Sequence, residues 1–415
     1  MFAICSLAID FFHVAVARPS RWHGPPDGRK DAARSSLRRS RPLGAWGLRI
    51  GGALLALPLL NTAAVRGGIA APTYTMTDLG ALMSVSYSWA TGINNSGQVV
   101  GYFGVNGDNH AFLYSGGTVQ TLDALPGDNI NGASRINSSG QVIGTSGVLG
   151  DPNVNHAFLY SAGQLQALGT LGGATSSASG INASGQVAGS STDAAGYQQA
   201  FLYSGGVMQN IAATYPQTNS DAAAINDGGQ VVGNVDFGNS GVQGFLYTGG
   251  TMQFLGSLGG SVTIPEGMNN AGQVVGGSTV TPGEFDYQAF VYSDGKMQPL
   301  GTLGFAYGIN DSGEIVGESD VVGQGAADGF LYDNGTLYDL NDLISKPLPG
   351  YVVEDANQIN DEGEIAATAR NALGECRAVL LTPTAVPLPT AAWASLTALP
   401  LVIMTRKHLA SHGKN

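Results

Sequence analysis

Short apolar runs alternate with clusters of Gly, Asn and Ser along most of the chain. The stretch Gly92–Gly101 shows the pattern: an Ile-Asn pair, a turn cluster of Asn, Ser and Gly, and then Gln-Val-Val-Gly. Repeats of roughly 40–50 residues are typical of propellers and solenoids. The Ile-Asn or Met-Asn pair occurs seven times at spacings of 41 to 50 residues, with its turn Asn at Asn94, Asn137, Asn182, Asn226, Asn269, Asn310 and Asn360.

Each repeat predicts four short strands. The first ends at the Ile-Asn pair and the second begins at Gln-Val-Val-Gly. The Asn-x-x-Gly between them is typical of a turn, because Asn bonds its own backbone and Gly accepts positive φ. The third strand is an apolar run such as Ala111–Tyr114, and its consecutive apolar residues indicate burial on both faces. A Gly-Gly, Asp-Gly or Asn-Gly pair then predicts a tight hairpin into a fourth strand such as Thr118–Leu122.

The two ends of the repeat series are unequal. No fourth strand follows the last third-strand run, Arg377–Leu381, whereas an extra copy of the fourth strand, Thr75–Gly80, precedes the first repeat. A ring would use that N-terminal strand to complete its last blade and leave few unpaired edges. The sequence therefore predicts an all-β fold, a seven-bladed β-propeller of four-stranded blades over residues 73–383, closed by the N-terminal strand. A β-solenoid is the alternative.

The composition agrees with many turns and few helices. The 415 residues include 62 Gly and 18 Pro, and charged residues make up only 12%. The net charge of −12 is unevenly distributed, since residues 72–384 contain 5 basic and 27 acidic side chains while both flanking segments are basic. A body this acidic repels phosphate backbones, which argues against nucleic acid as a partner.

Few residues offer catalytic or metal chemistry. His110 and His156 occupy the same repeat position, where other copies have Gln or Asp, so we interpret them as polar residues at strand starts. The turns at Asn310–Glu314 and Asn360–Glu364 are rich in oxygen ligands, yet their spacing is not that of an EF-hand loop and turn chemistry alone explains them. We therefore expect no catalytic, cofactor-binding or metal residues, with calcium as the alternative.

The N-terminal segment, residues 1–71, has the order of an export signal. A basic stretch, Arg38–Arg41, is followed by a mostly apolar run to Leu60 and by small residues near Ala71. Basic, apolar and then small residues are typical of a secretory signal peptide, here preceded by an N-terminal extension. A short buried helix is the alternative.

Residues 385–408 also have a three-part order, and a polar tail, 409–415, follows them. A Pro-x-Pro motif comes first, an uncharged apolar segment spans 390–405, and a basic pair ends it. The motif residues are Val386, Pro387, Leu388, Pro389, Arg406 and Lys407. The pattern resembles the PEP-CTERM sorting signal of Gram-negative bacteria, although Leu388 stands where that motif has an acidic residue. A permanent membrane anchor is the alternative.

The repeats themselves resemble the HAF-repeat extracellular proteins, named for the His-Ala-Phe of copies such as His110–Phe112. Only two of the seven copies keep the His. Together the two resemblances imply export in a Gram-negative bacterium and transient contact with the inner membrane through 390–405. They also imply an exosortase-type transpeptidase and the export machinery as partners, followed by release to the cell surface or beyond. Neither resemblance implies a reaction.

These features lead to one functional expectation: an exported, surface-associated or secreted propeller that binds or scaffolds in the cell envelope or the exopolysaccharide matrix. Extracellular polysaccharide or an envelope protein is the expected ligand. A polysaccharide-active enzyme is the alternative, and non-repeated acids converging on one pocket at the propeller mouth would favour it. The divergent segments predicted as binding loops are Gly104–Asn109, Gly150–Asn155, Ala212–Ser220, Thr281–Tyr287 and Ile344–Val352.

Overall fold

The computed structural model of the protein describes residues 71–283, 286–320 and 327–384. The predicted signal peptide and the sorting motif, with Val386–Pro389, Arg406 and Lys407, lie outside these residues. The described chain is largely β-strand with a few short helical turns. None of its helices combines the length and apolar character that crossing a bilayer requires.

The described chain begins with a strand and a short helix, β1 (Tyr74–Asp78) and α1 (Leu79–Met83), which Asp78 caps through its side chain. Seven repeated units follow. The first three are antiparallel four-stranded sheets: β2 (Ser88–Ile93), β3 (Val99–Val105), β4 (Asp108–Ser115) and β5 (Thr118–Thr121); β6 (Ile130–Ile136), β7 (Val142–Val148), β8 (Asp151–Ser161) and β9 (Gln164–Ala167); and β10 (Gly172–Ile181), β11 (Val187–Asp193), β12 (Gln198–Ser204) and β13 (Val207–Asn210).

Units four to six repeat this arrangement, with a 3₁₀ turn at Gly238–Ser240. Their strands are β14 (Asn219–Ile225), β15 (Val231–Asp236), β16 (Val242–Thr248) and β17 (Thr251–Phe254); β18 (Thr263–Met268), β19 (Val274–Thr279), β20 (Tyr287–Ser293) and β21 (Lys296–Ile309); and β22 (Ile315–Asp320), β23 (Ala327–Asp333) and β24 (Thr336–Asp339). The long β21 pairs with β20 in its first half and with β22 in its second. It therefore supplies the last strand of unit five and the first strand of unit six.

The N-terminal strand completes the seventh unit. That unit comprises α2 (Leu340–Leu343), β25 (Ile344–Lys346), β26 (Tyr351–Ile359), β27 (Ile365–Asn371) and β28 (Cys376–Pro383). Strand β1 pairs antiparallel with β28, with Tyr74 opposite Pro383 and Asp78 opposite Val379. On its other side β1 pairs in parallel with β25, which covers an edge that would otherwise be open. The predicted closure by the N-terminal strand is confirmed.

The units follow one another around a closed ring. The first strand of each unit packs against the unit before it: β6 against β2, β3 and β4, for example, and β26 against β21, β22 and β23. The cycle closes because β2 packs against β26, β27 and β28 of the seventh unit. A linear stack has no such contact between its ends. The predicted β-propeller is confirmed and the β-solenoid alternative is wrong.

The apolar core is divided into layers between neighbouring units. Phe112 packs with Ile93 of its own unit and with Ala366 and Leu380 of the seventh. Full burial of such a side chain stabilises the fold by about 1.5–3 kcal/mol. Each phenylalanine layer therefore joins two units, and the ring depends on closure. The fully buried third-strand rings are Phe112, Phe158, Phe201, Phe245, Phe290 and Phe330.

A glycine in the second strand permits this close packing. A Cβ at Gly144 would lie 2.0 Å from the backbone oxygen of Gly132 in the first strand. The seventh unit has Ala367 instead, and an additional register shift between Val353 and Asp355 accompanies that extra methyl group. The glycines of this position are Gly101, Gly144, Gly189, Gly233, Gly276 and Gly317.

Candidate functional site

The antiparallel path of the chain gives the ring two different faces. The Asn-x-x-Gly turns and the hairpins between third and fourth strands lie on one of them, which we call the turn face. The connections between second and third strands, and those from one unit to the next, lie on the other, which we call the loop face. The link between units six and seven is an exception, since its strand β25 lies beside the turn-face end of β1.

The seven turn Asn residues form a closed ring of hydrogen bonds at the turn face. The Nδ2 of each donates to the backbone oxygen of the Asn in the next unit, at 3.0 to 3.2 Å, from Asn94 around to Asn360 and back to Asn94. Each Oδ1 accepts from the backbone N–H four residues later. All seven are buried, at 2–5% exposure. Their side chains hold the ring together and leave nothing for a ligand.

The turns considered for calcium have carboxylates that accept hydrogen bonds from nearby amides. Glu314 Oε2 accepts from Asn310 Nδ2 at 2.6 Å, and Glu364 Oε2 accepts from Asn360 Nδ2 at 2.9 Å. Among the residues that the structure describes, no group of three or more His, Cys, Asp or Glu side chains could hold a metal ion. The described turns therefore add no support for calcium.

The two histidines lie in separate units, near the loop face. The His110 ring centroid lies 5.6 Å from that of Phe103. His156 Nδ1 lies 3.4 Å from Oδ2 of Asp128, whose side chain is only 5% exposed. The structure therefore does not bring the two histidines to one site.

The predicted binding loops differ in length from what their sequence divergence indicated. Most of Gly104–Asn109 belongs to β3 and β4, and only Asn106 and Gly107 form the turn, with φ of 55° and 95°. The segment Gly150–Asn155 lies mostly in β8. Strand pairing continues to the tips of these hairpins, so divergence in sequence does not lengthen the loop.

The other predicted loops are more open. Ala212–Ser220 connects two units and enters β14 only at Asn219, whereas Ile344–Val352 begins with the strand β25. Thr281–Tyr287 includes positions 284 and 285, which lie outside the described residues. By strand order, the first four predicted segments fall on the loop face, whereas Ile344–Lys346 of the fifth pairs with Tyr74 and Thr75 at the turn-face end of β1.

Large apolar side chains are exposed mainly on this loop face. Six of the eight in the described chain lie there, and Val207 and Leu337 on the turn face are the other two. Leu373 is 84% exposed in the β27–β28 connection. The six are Leu82, Val105, Leu149, Tyr197, Val352 and Leu373.

The first strands of the units line a central channel that contains a cavity of about 90 Å³. Part of its wall is an apolar belt, formed by Ile93, Ile136, Ile181, Ile225, Met268 and Ile309. Arg135, Ser179, Glu266 and Gln358 provide polar groups to the same cavity. At the repeat position of Arg135, the other units have Gly, Ala or Gln. These polar groups therefore break the repeat symmetry.

β-Bulges in the first strands place the two charged residues of the channel. The pairing of β6 with β7 shifts between Ala133 and Arg135, and that of β18 with β19 shifts between Pro265 and Gly267, which leaves Glu266 as the bulged residue. The same shift occurs in the first strand of every unit, so the bulge belongs to the repeat and only the charges distinguish these two positions. Our sequence analysis missed both residues, although each is a charge at a position that is small or uncharged in the other copies.

Arg135 is held by backbone oxygens of two neighbouring strands. Its Nη1 donates to the oxygen of Thr91 at 2.7 Å and to that of Ser134 at 3.0 Å. Burial lowers the pKa of Arg135, and the Glu266 carboxylate opposes this by raising it. An arginine stays protonated in proteins, so the channel keeps a fixed positive charge.

Asp221 is a half-buried acid between the third and fourth units. Gln198 donates to its carboxylate through Nε2. Burial raises the pKa of Asp221 to about 6, hydrogen bonds from Ser190 and Gln198 lower it, and the Asp236 charge raises it. This contact is a protonation-sensitive link between two units on the loop-face half of the ring.

No protein-family profile and no curated protein matches the chain. Several solved structures are similar to it. The propeller domain of the Trilobed protease from Pyrococcus furiosus is 8% identical, with 71% of this chain and 95% of that chain covered and a TM-score of 0.48. A putative TolB from Agrobacterium tumefaciens is 11% identical, with 55% and 87% covered and a TM-score of 0.40. TolB from Acinetobacter baumannii is 13% identical, with 69% and 80% covered and a TM-score of 0.38.

These likenesses carry no functional argument at such identities and TM-scores. The assignment of the propeller rests on the strand pairing and on the closed cycle of unit contacts.

Proposed function

We propose that the protein is an exported propeller that acts by binding, as a non-enzymatic scaffold in the cell envelope or the exopolysaccharide matrix. The observation that carries the proposal is that six of the eight exposed large apolar side chains in the described chain lie on the loop face, opposite a turn face whose Asn side chains are used for closure. These side chains come from units one, two, three and seven and its junction with unit one, so they are available to a ligand that spans several units of this face.

The HAF-repeat and PEP-CTERM resemblances support export, anchoring and release. The chain would pass the inner membrane with its signal peptide, be held through 390–405, and lose its tail to an exosortase-type transpeptidase. A mature protein that retains Asn415 would contradict the sorting step, and mass spectrometry of the protein recovered from cells and from medium measures it.

The ligand we favour is an extracellular polysaccharide of low charge. The net charge of −22 over residues 72–384 disfavours polyanions, while exposed Leu, Val and Tyr side chains can cover the apolar faces of sugar rings. An enzyme acting on polysaccharide would need two carboxylates at one pocket. Among the described residues that line the channel cavity, Glu266 supplies the single carboxylate, so this cavity does not favour the enzyme.

The test compares matched variants on the two faces. The full chain is assayed for binding to the host's purified exopolysaccharide, with Leu149→Ser and Leu373→Ser on the loop face and Val207→Ser on the turn face. Val207 is 67% exposed, so its substitution removes a comparable exposed side chain. We expect weaker binding for the two loop-face variants alone. Equal losses for all three, or no binding by the unmodified chain, would contradict the proposal.

A further inference from the structure

Three Asn-Gly pairs occur in the chain, and this pair can react with itself. In such a pair the backbone nitrogen of the Gly can attack the side-chain amide carbon of the Asn, because no Cβ on the Gly obstructs the approach. Asn is accordingly one of the thermolabile residues of proteins. The pairs are Asn106-Gly107, Asn131-Gly132 and Asn334-Gly335. The fold treats the three differently.

The fold protects Asn131. Its side chain is buried, at 1% exposure, and its Oδ1 accepts a hydrogen bond from the Ala111 N–H at 2.8 Å. Its Nδ2 donates to the backbone oxygens of Leu122 and Asp123, at 3.0 and 2.7 Å. The side chain would have to leave all of these partners before its amide carbon could be attacked, and buried polar groups left unpaired are costly.

The fold leaves Asn106 free. Asn106 and Gly107 form the exposed turn between β3 and β4 on the loop face. Within the part of the chain that the structure describes, neither the Asn106 side chain nor the Gly107 N–H makes a hydrogen bond. A Cβ at Gly107 would meet nothing within 4 Å, so the space around the attacking nitrogen is open.

Asn334 is exposed but restrained. It lies in the hairpin between β23 and β24, and its Nδ2 donates to Asp333 Oδ1 at 2.7 Å. A hydrogen bond to an ionised carboxylate is stronger than one between neutral groups. The amide of Asn334 is therefore held in place, and that of Asn106 is not.

We propose that Asn106 is the preferred site of spontaneous deamidation in the folded chain. The Gly107 nitrogen forms a bond to Cγ of Asn106, the bond between Cγ and Nδ2 breaks, and Nδ2 leaves as ammonia with the proton of the Gly107 N–H. Water then opens the resulting succinimide at one or the other of its ring carbon–nitrogen bonds, which gives aspartate or isoaspartate. The loop face gains a carboxylate beside the exposed Val105. This reaction does not depend on the proposed function.

The first test follows the unmodified full chain during incubation at mildly alkaline pH. Peptide mapping by mass spectrometry measures the conversion of each Asn, and an isoaspartyl methyltransferase labels the isoaspartate. We expect Asn106 to react faster than Asn334, and at least about ten-fold faster than Asn131, the ratio that a barrier difference of ~1.4 kcal/mol produces. In denaturant the three rates should converge. The proposal is overturned if Asn106 stays intact in the folded chain, or if Asn131 reacts there as fast.

Variants test whether the contacts of the side chain set the order of reaction. Asn106→Gln keeps an amide but needs a larger ring to form, so it should abolish conversion at this position and leave the rate at Asn334 unchanged. Asp333→Ala releases the Asn334 amide and should raise its rate toward that of Asn106, whose own rate serves as the internal control. An Asn334 that stays slow in Asp333→Ala would overturn the proposed order.

Discussion

The turn face and the loop face are built from opposite ends of the same strands, yet they are organised differently. At the turn face one residue type, Asn, recurs in seven units and makes the same contacts in each. At the loop face the connections range from the two-residue turn at Asn106 to the longer link after Asn210. Uniform contacts close the ring, and the variable connections differ from unit to unit; β25, which covers the outer edge of the closing strand β1, is the one described here that also takes part in closure.

Inter-unit bonds at the third strand extend the uniform region into the blades. The backbone N–H of Ala157 donates to Ser176 Oγ at 3.0 Å, and that of Ala200 donates to Ser220 Oγ at 2.9 Å, each across a unit boundary. The Ala of the His-Ala-Phe line therefore joins neighbouring units through its backbone. The part of each blade that is bonded to its neighbours therefore extends past the middle of the strands, toward the loop face.

The largest effect is expected from breaking the Asn ring. Asn137→Ala removes donors to Gln141 Oε1 at 2.8 Å and to Asn182 O at 3.0 Å, and the acceptor of the Gln141 N–H. Buried groups left unpaired cost about 1–3 kcal/mol each, so we expect the free energy of unfolding to fall by about 3 kcal/mol. Chemical denaturation followed by tryptophan fluorescence measures it. Ser138→Ala, at the exposed next residue, is the control, and equal losses in both would contradict a structural role for the ring.

The second largest effect is expected from substitutions along the second strands, where tight packing gives way to free space toward the loop face. Gly144→Ala forces a Cβ to within 2.0 Å of Gly132 O, so we expect an overpacking loss of about 2 kcal/mol in the free energy of unfolding. Gly104→Ala, at the loop-face end of β3, meets nothing closer than 3.8 Å and should cost less than about 0.5 kcal/mol. Denaturation midpoints of both variants decide this, and a tolerated Gly144→Ala would place the boundary elsewhere.

A smaller effect is expected from Asp221, whose contact with Gln198 joins two units on the loop-face half of the ring. Its folded pKa of about 6 exceeds the unfolded value of about 3.9, so the folded state keeps a proton that the unfolded state has released. This contribution to stability is complete below about pH 4 and is lost as the pH rises through 6. Relative to Asp221→Asn, the unmodified chain should lose about 1–2 kcal/mol between pH 4 and 7.

Thermal unfolding of the two chains across that pH range measures the difference, and parallel pH profiles would refute it. Asp236→Asn is a further check. Removing that charge lowers the pKa of Asp221, so the loss should move to lower pH.

The smallest effect is expected on the loop face itself. Leu373→Ser replaces a side chain that is 84% exposed, so the denaturation midpoint should correspond to a change within about 0.5 kcal/mol. The same variant is expected to weaken ligand binding. A loss of stability similar to that of Asn137→Ala would show that the loop face belongs to the structural frame.

The repeat pattern in the sequence was enough to predict the strands, the turns and the closure by β1. It sufficed because the same short-range turn signals, the Gly-Gly hairpins and the Asn turns, recur in the units. It did not predict that each Asn Nδ2 reaches the next unit, nor that β21 runs unbroken through two units, since both depend on how units meet.

The candidate sites were harder to predict because their residues depart from the repeat pattern. Arg135 and Glu266 are informative because they depart from the repeat, and attention to what recurs hides such departures. That both line one cavity depends on a channel that brings together residues from units two and five. Loop lengths were also misjudged, because pairing up to Val105 and Asp108 is a property of the folded sheet.

The place where the ring closes also determines how it responds to force. Thr73 and Thr384 lie side by side at the turn face, where the Thr384 N–H donates to Thr73 O at 2.7 Å, and β1 and β28 run antiparallel from that point. Pulling the two ends of the ring apart would load one hydrogen bond at a time and unzip the closure at low force. Pulling between Thr384 and a ligand on the loop face would instead act along β28 and load its bonds to β1 and β27 together. The propeller is thus built to resist traction when it is tethered at a single end.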